Sequence, residues 1–358
     1  MAAAERAGTQ PRIIAFPAEG IAYNDGLYAA FAALDTEVVE GRWGGRWLLE
    51  TLRPQDVIHI HWPSFLYSTP GPRWVCLLAF LRFTLLLGLA KLRCREIWWT
   101  AHNLLPHVPN PIPALDLLAR RFVIQLARHV FVHGEHARQV LVERFPSAAP
   151  KTVCIPHGHW IDFYPRLDSS EQARQELQLP QDAFVYLQFG QCKPYKNLDG
   201  TVQAFRSLPD ERLVLLIAGH FSDATYFDHI CQLAAGDARI RVENRFIPDD
   251  QLAAYLLACD VMCMPYREIL TSGTAMLALS HGKPVLSMRK GFLRDVIDAD
   301  CGILIESTSP ENIAEAMQQM AARRWDSSRI VEHARQFSFE TAARLSLACL
   351  SKASTAEH

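Results

Sequence analysis

Two successive runs of short apolar segments, each alternating with helix-patterned stretches, constrain this chain more than any other feature. In the first run the strand-like segments are residues 12–16, 37–39, 57–61, 97–100, 129–133 and 152–156, with helical spacing between most of them. Around residues 160–170 the alternation restarts. Helix 171–177, strand 184–189, helix 198–208, strand 213–218, helix 226–235, strand 240–243, helix 249–258 and strand 261–264 follow in order. A helix at 275–280, strands at 284–287 and 302–305 and three closing helices complete the chain. Strands separated by helices are joined by crossovers, so each run predicts an α/β, mostly parallel, doubly wound sheet. A chain of 358 residues is long for one core and fits two such domains.

Composition narrows the class. A 49% apolar and 21% charged chain is globular, and a formal net charge of −2 gives no reason to expect nucleic acid as a partner. Nine cysteines, without a CxxC pair, read as reduced thiols in a cytoplasmic protein. The first twelve residues, MAAAERAGTQPR, have no apolar core of the kind an export signal needs. Residues 74–92, WVCLLAFLRFTLLLGLAKL, approach the length of a membrane span, but Arg82 sits near the middle and strand-like segments flank both sides. A crossover helix is the expectation. With Arg73, Lys91, Arg93 and Arg95, and Arg120, Arg121 and Arg128 further on, it would form either a basic, apolar face for the cytoplasmic membrane surface or a solvated rim around a core helix.

In open parallel sheets, ligands bind beyond the carboxyl ends of the strands, so the polar residues there are the ones that matter. The first half places Asn24 and Asp25 after its first strand, His61 after the third, His102 after the fourth and Glu135 after the fifth; His157 and His159 stand at the junction. The second half offers Gly190, Lys193 and Lys196 in GQCKPYKN directly after the strand VYLQF, then Gly219, Phe246 and Ile247, and finally Tyr266, Glu268 and Thr271 to Thr274. A glycine lets backbone approach a ligand, and two lysines three apart neutralise a diphosphate. Ser272, Gly273 and Thr274 open the helix at 275–280, whose free N–H groups suit a phosphate. A pyrophosphate held between those cations and amides would stabilise a departing nucleoside diphosphate without a metal. The chain has no GxxxxGK[ST], HExxH or strand-linked GxGxxG motif, which weakens kinase, zinc hydrolase and dehydrogenase readings.

At this point the residues resemble a known family. FGQCKPYKNLDGTVQAF, LLIAGH, RFIPDDQLAAYLLACDVMCMPY and TSGTAMLALSHGKPVL follow the order and spacing of the nucleotide-sugar half of GT-B glycosyltransferases. DVIHIHWP, WTAHNLLPH and IPHGHWIDFYP resemble a narrower bacterial group that includes the xanthan-type β-mannosyltransferases, which use GDP-mannose and a polyprenyl-diphosphate-linked oligosaccharide. The resemblance implies an α/β GT-B fold with two Rossmann-like domains facing a central cleft. Residues 1–165 would bind acceptor, 166–338 would bind donor, and 339–358 would hold a helix crossing back to the first domain and a tail. It implies a lipid-linked glycan acceptor, a nucleotide-sugar co-substrate, no metal cofactor, and a place at the inner face of the plasma membrane in exopolysaccharide synthesis.

Retaining GT-B enzymes usually carry a glutamate, seven residues and a second glutamate that grips the donor ribose; here Glu268 is followed by Met276. An inverting reaction is therefore the expectation, and inversion needs a base on the acceptor side. Asp25 leads, though it equally fits a cap for a helix at 26–34; His102 and Glu135 are the others, and His102 also fits a sugar contact. His157 and His159 would brace the hinge, with Asn24 and His61 lining the cleft. A retaining transferase, a UDP-sugar transferase or epimerase, and a catalytically silent nucleotide-binding partner remain alternatives.

Overall fold

The computed structural model describes residues 11–164 and 169–354. Most of the segment read for an export signal, and part of the junction, lie outside them. The chain divides into two units, one formed by Met1–Gly158 with Ser338–His358, the other by His159–Phe337.

The first unit is built on a six-stranded sheet. Its strands are β1 Ile13–Phe16, β2 Val38–Glu40, β3 Val57–Ile60, β4 Glu96–Thr100, β5 His129–Val132 and β6 Thr152–Cys154, in the order β2-β1-β3-β4-β5-β6 with every pair parallel. β1, β3 and β4 are wholly buried, as expected of a parallel sheet covered on both faces, and this is why they read as unbroken apolar runs rather than alternations. The second unit has β7 Phe184–Phe189, β8 Leu213–Gly219, β9 Ile240–Asn244, β10 Val261–Met264, β11 Val285–Met288 and β12 Gly302–Ile305. Their order, β12-β11-β10-β7-β8-β9, is that of a Rossmann sheet.

Three sequence expectations change. The helix after β1 begins at Ala22, not at residue 26, so Asp25 lies in its first turn rather than in a loop or at its cap. Asn24 explains the early start, because its Nδ2 donates to Pro17 O at 2.6 Å and ties the first turn to the chain leaving β1. Gly26 faces the ring of Phe339, from the closing helix Phe339–Ser354 of the same unit, where any side chain would collide. The helix after β10 begins at Gly273, with Ser272 as its cap. Arg120, expected on a basic face, is fully buried: it donates to Leu104 O (2.9 Å) and Asn103 Oδ1 (3.2 Å) and lies over Trp99. Burial lowers its pKa to about 10.

The apolar helix Arg73–Arg93 connects the adjacent parallel strands β3 and β4 and buries Cys76, Phe83, Leu87 and Ala90 against the unit. Among the described residues it is the one helix long and apolar enough to cross a membrane, with a mean hydropathy of 2.0. Its outward side exposes Trp74, Leu77, Leu78, Leu81, Leu85 and Leu92. Arg82 is not buried in this face; its Nη2 donates to Trp43 O at 2.7 Å. All nine cysteines are free thiols.

Candidate functional site

In the second unit the strand order reverses between β7 and β10, the place where doubly wound sheets bind ligands. The segments leaving those two strands carry the predicted clamp. Gly190 follows β7 with φ +93°, a conformation glycine adopts freely, and its N–H donates to Ala218 O at 3.0 Å. A side chain at Gly219 would overlap the Gly190 carbonyl oxygen, so two backbones touch here. The chain then forms a tight turn, Pro194–Lys196, and helix Leu198–Arg206.

That turn directs Lys196 back beneath the loop. The side chain is buried, its Nζ donates to Phe189 O at 2.8 Å, and it lies 5.4 Å from the centre of the Tyr266 ring. Nζ is also 3.2 Å from where a Gly190 side chain would begin. Burial is the main cause that lowers the Lys196 pKa to about 8, and Lys193 adds repulsion. Among the described residues no carboxylate is paired with this buried cation.

The segment after β10 meets this lysine. The Tyr266 hydroxyl is hydrogen-bonded to the Thr274 side chain, and Ser272 accepts from Ala275 N at 3.3 Å, capping the helix. Arg267 fastens the two segments together through Pro194 O (2.7 Å), Asp199 (2.7 Å) and its own N–H to Tyr195 O (2.8 Å). Lys196, Tyr266, Thr274 and Gly190 are thus brought together, with Gly273 at the helix start. Lys193 is partly exposed and Glu268 is exposed. Phe246 is 76% exposed, whereas Ile247 is buried. Met276 is fully buried in the core, so no carboxylate faces a ligand from that position.

The chain's Asp-x-Asp triplet, Asp298 and Asp300, lies before the amino end of β12. With Cys301 and His333, Asp298 forms a group whose donor atoms lie within 4.8 Å of one another. Turn bonds engage that group: Asp298 Oδ1 accepts from Asp300 N and Cys301 N, and His333 Nε2 bonds Val296 O at 2.7 Å. It sits at the end of the sheet opposite the clamp.

In the first unit the reversal falls between β1 and β3. Tyr23, in the helix after β1, is surrounded by the rings of His61, His102, His133 and His157 at 4.6 to 5.7 Å. Trp62 stacks on His102 at 4.3 Å. Among the described residues the buried Tyr23 hydroxyl, Asn24 Oδ1 and His133 Nε2 have no hydrogen-bond partner, an unusual density of unmet polar atoms for an interior. Burial pushes His61, His102 and His133 well below the ordinary histidine range, their neighbours adding repulsion, and lowers His157 to about 4. These rings are neutral at pH 7 and serve as hydrogen-bonding groups.

Asp25 Oδ1 accepts from Gly20 N at 3.2 Å and is half-buried. Glu135 is exposed and forms a two-pronged pair with Arg138 Nε at 3.0 and 2.9 Å, which holds its carboxyl below the usual range and makes it a weak base. His157 lies one residue before the end of this unit's first segment, whereas His159 begins the other unit, half-buried and with its pKa lowered by burial. Sequence reasoning passes over Tyr28, His59 and Thr100, which connect to this cluster through hydrogen bonds. The available signal is the His59-x-His61 spacing, which puts both rings on one face of a strand.

Two tandem sheets of this kind, each with its site at the strand-order reversal, define the GT-B fold. The solved structure of Anabaena HepE in complex with UDP and glucose superposes with a TM-score of 0.71 at 16% identity, covering 96% of this chain and 100% of that one. WaaG, a glycosyltransferase involved in lipopolysaccharide biosynthesis, gives 0.64 at 13% identity over 94% and 98%. Residues 169–337 match the family described as glycosyl transferases group 1. Among curated proteins, the GDP-mannose:glycolipid 4-beta-D-mannosyltransferase of Xanthomonas campestris pv. campestris is 30% identical over 233 residues, 65% of this chain and 61% of that protein. The D-inositol 3-phosphate glycosyltransferase of Corynebacterium aurimucosum is 30% identical over 278 residues, 70% of this chain and 65% of its own length.

Proposed function

We propose that this chain is a metal-independent glycosyltransferase that moves a hexose from a nucleoside-diphosphate sugar, with mannose from GDP-mannose as the preferred donor. The observation that carries the reading is Lys196: a buried cation with no carboxylate partner among the described residues, beside Tyr266 and Thr274 at the strand-order reversal of a unit that matches the glycosyl transferases group 1 family. A diphosphate placed there supplies the missing negative charge, and the lysine stabilises the leaving group as its bond to the sugar breaks. GDP-mannose is favoured by the likeness to the Xanthomonas enzyme. The likeness to an inositol-phosphate glycosyltransferase supports a different donor and acceptor as the second reading. Buried Met276 supports inversion, giving a β-linkage from an α-linked donor, with Asp25 as base. Asp25→Asn keeps an acceptor for the Gly20 N–H, so it should leave folding and nucleotide affinity near the parent while lowering transfer about a hundredfold or more. Activity at the parent level would move the base elsewhere.

We infer that the acceptor is a lipid-linked glycan, a polyprenyl-diphosphate oligosaccharide of an exopolysaccharide pathway, reached from the cytoplasmic face of the membrane. The outward apolar side of helix Arg73–Arg93 supports this, with exposed Arg73, Arg93, Arg121 and Arg128 for anionic headgroups. Replacing Trp74, Leu78, Leu81 and Leu85 by serine should lower co-flotation with anionic phospholipid vesicles at least about tenfold, because each buried apolar side chain contributes about 1.5–3 kcal/mol. The substituted residues are exposed, so the melting temperature should hold. The direct assay is transfer of labelled mannose from GDP-mannose to polyprenyl-diphosphate oligosaccharide in chelator; no glycolipid product with any nucleotide sugar would end the reading.

A further inference from the structure

In the second unit, the loop before β12 meets the helix Ser327–Arg335 through three side chains of different chemistry. Asp298 offers a carboxylate, Cys301 a thiol and His333 an imidazole, with their donor atoms within 4.8 Å of one another. Asp298 is exposed, His333 half-buried and Cys301 fully buried, so the group leads from solvent inward.

The carboxylate and the ring each have one atom committed to the protein and one left over. Asp298 Oδ1 accepts from Asp300 N at 2.9 Å and Cys301 N at 3.2 Å, which fixes the carboxylate and leaves Oδ2 3.4 Å from His333 Nδ1. His333 Nε2 bonds Val296 O at 2.7 Å, and a carbonyl only accepts, so Nε2 carries a proton and a neutral ring keeps its lone pair on Nδ1. A backbone carbonyl on one ring nitrogen is how proteins orient the other nitrogen toward a metal. That lone pair and the Oδ2 anion repel each other, and a cation between them satisfies both. Their 3.4 Å separation exceeds the roughly 2.7–2.9 Å of a hydrogen bond between an imidazolium and a carboxylate. It matches the edge of a zinc tetrahedron, where ligands at about 2.0–2.2 Å stand about 3.3–3.6 Å apart. Cys301 Sγ accepts from Asp298 N at 3.3 Å, which ties the thiol to the same turn. The charged groups acting on that thiol are the carboxylates of Asp298 and Asp300, the latter shared with Arg323 at 3.7 Å, and their field favours a dication.

We propose that Asp298, Cys301 and His333 form a binding site for a zinc-class divalent cation, which clips the loop before β12 to the helix Ser327–Arg335. On binding, the S–H bond of Cys301 breaks, a metal–sulfur bond forms, the proton passes to solvent and a water completes the four ligands. One sulfur, one imidazole and one carboxylate select zinc or cobalt over magnesium and calcium, which take oxygen ligands. The site is at the end of the sheet opposite Lys196, so it is a structural clip outside the transfer reaction and stands independently of the glycosyltransferase reading.

The test uses the full chain, stripped with chelator, dialysed and titrated with Co2+ as an optical stand-in. One equivalent should produce the near-ultraviolet charge-transfer band of a cobalt–thiolate bond and the visible bands of a four-coordinate ion; Zn2+ should erase both, and Mg2+ neither. Asp298→Asn keeps Oδ1 as the acceptor of the turn, and His333→Gln keeps an N–H donor. Each should weaken cobalt binding about a hundredfold or more, beyond what loss of a supporting group alone costs. Cys301→Ser should remove the near-ultraviolet band. Zinc at a hundred times its Kd should raise the melting temperature of the parent by about 5–10 °C and leave that of Asp298→Asn in place. Chelator should lower the parent's melting temperature to its metal-free value with nucleotide affinity unchanged. A band of full affinity in both Asp298→Asn and His333→Gln would put the metal on another thiol and overturn the proposal. Absence of both the band and the zinc shift would leave Asp298 and His333 an ion pair only, and would overturn it equally.

Discussion

Lys196→Met should reduce nucleoside-diphosphate affinity by about 10- to 150-fold, the range expected for a lost hydrogen bond to a charged group, and should reduce sugar transfer further. The same variant should melt no earlier than the parent at pH 7. Both expectations follow from one fact: the lysine is buried, and burial, with some repulsion from Lys193, brings its pKa from 10.5 to about 8. Its charged form is disfavoured in the folded state, so between pH 8 and 10.5 the unfolded chain binds the extra proton and stability rises with pH. Without ligand, then, the protonated lysine weakens the fold. With a diphosphate bound the sign reverses, because the anion favours the charged form. Nucleotide affinity should fall as pH rises through about 8, and binding near pH 8 should take up protons, read as a buffer-dependent heat. Lys196→Met should abolish both effects. A pH-independent affinity would place the diphosphate away from Lys196.

Gly219→Ala should destabilise the second unit and displace the same lysine. The new methyl group would overlap the Gly190 carbonyl oxygen, which is backbone and has no rotamer to escape into. Relief requires the ends of β7 and β8 to part, weakening the Gly190 N–H to Ala218 O bond that closes them. Overpacking of this kind costs about 1–3 kcal/mol, or roughly 2 to 12 °C in melting temperature for a unit of this size. Phe189 O, the acceptor for Lys196, lies on the displaced segment, so nucleotide affinity should fall as well. An unchanged melting temperature would show that the two loops are not packed as described.

Much of the fold was legible because buried parallel strands announce themselves. Residues 184–189, 249–258, 261–264 and 302–305 have the predicted bounds; of these, 184–189 and 261–264 are apolar runs stopped at once by Gly190 and Pro265. The helix at Ala22–Ala33 was less legible. Gly20, Asn24, Asp25 and Gly26 have local preferences for turns, and distant partners override them: Asn24 bonds Pro17 O, and Gly26 makes room for Phe339. The lysine pair was readable from spacing, but not the difference between its members, since only folding makes Lys196 buried and leaves Lys193 partly exposed. The histidine cluster was readable as residues at strand ends. Its hydrogen-bond chain was not, because Tyr28, His59 and Thr100 come from three elements that only the sheet order β1-β3-β4 brings side by side.

The most direct measurement is calorimetric titration of the purified chain with GDP, UDP and ADP in the presence of chelator, repeated with Lys196→Met. The account predicts that a nucleoside diphosphate binds without metal, GDP most tightly, and that the variant loses most of that affinity. Failure of all three to bind, or equal binding by the variant, would contradict the claim that this unit holds a donor diphosphate on its buried lysine.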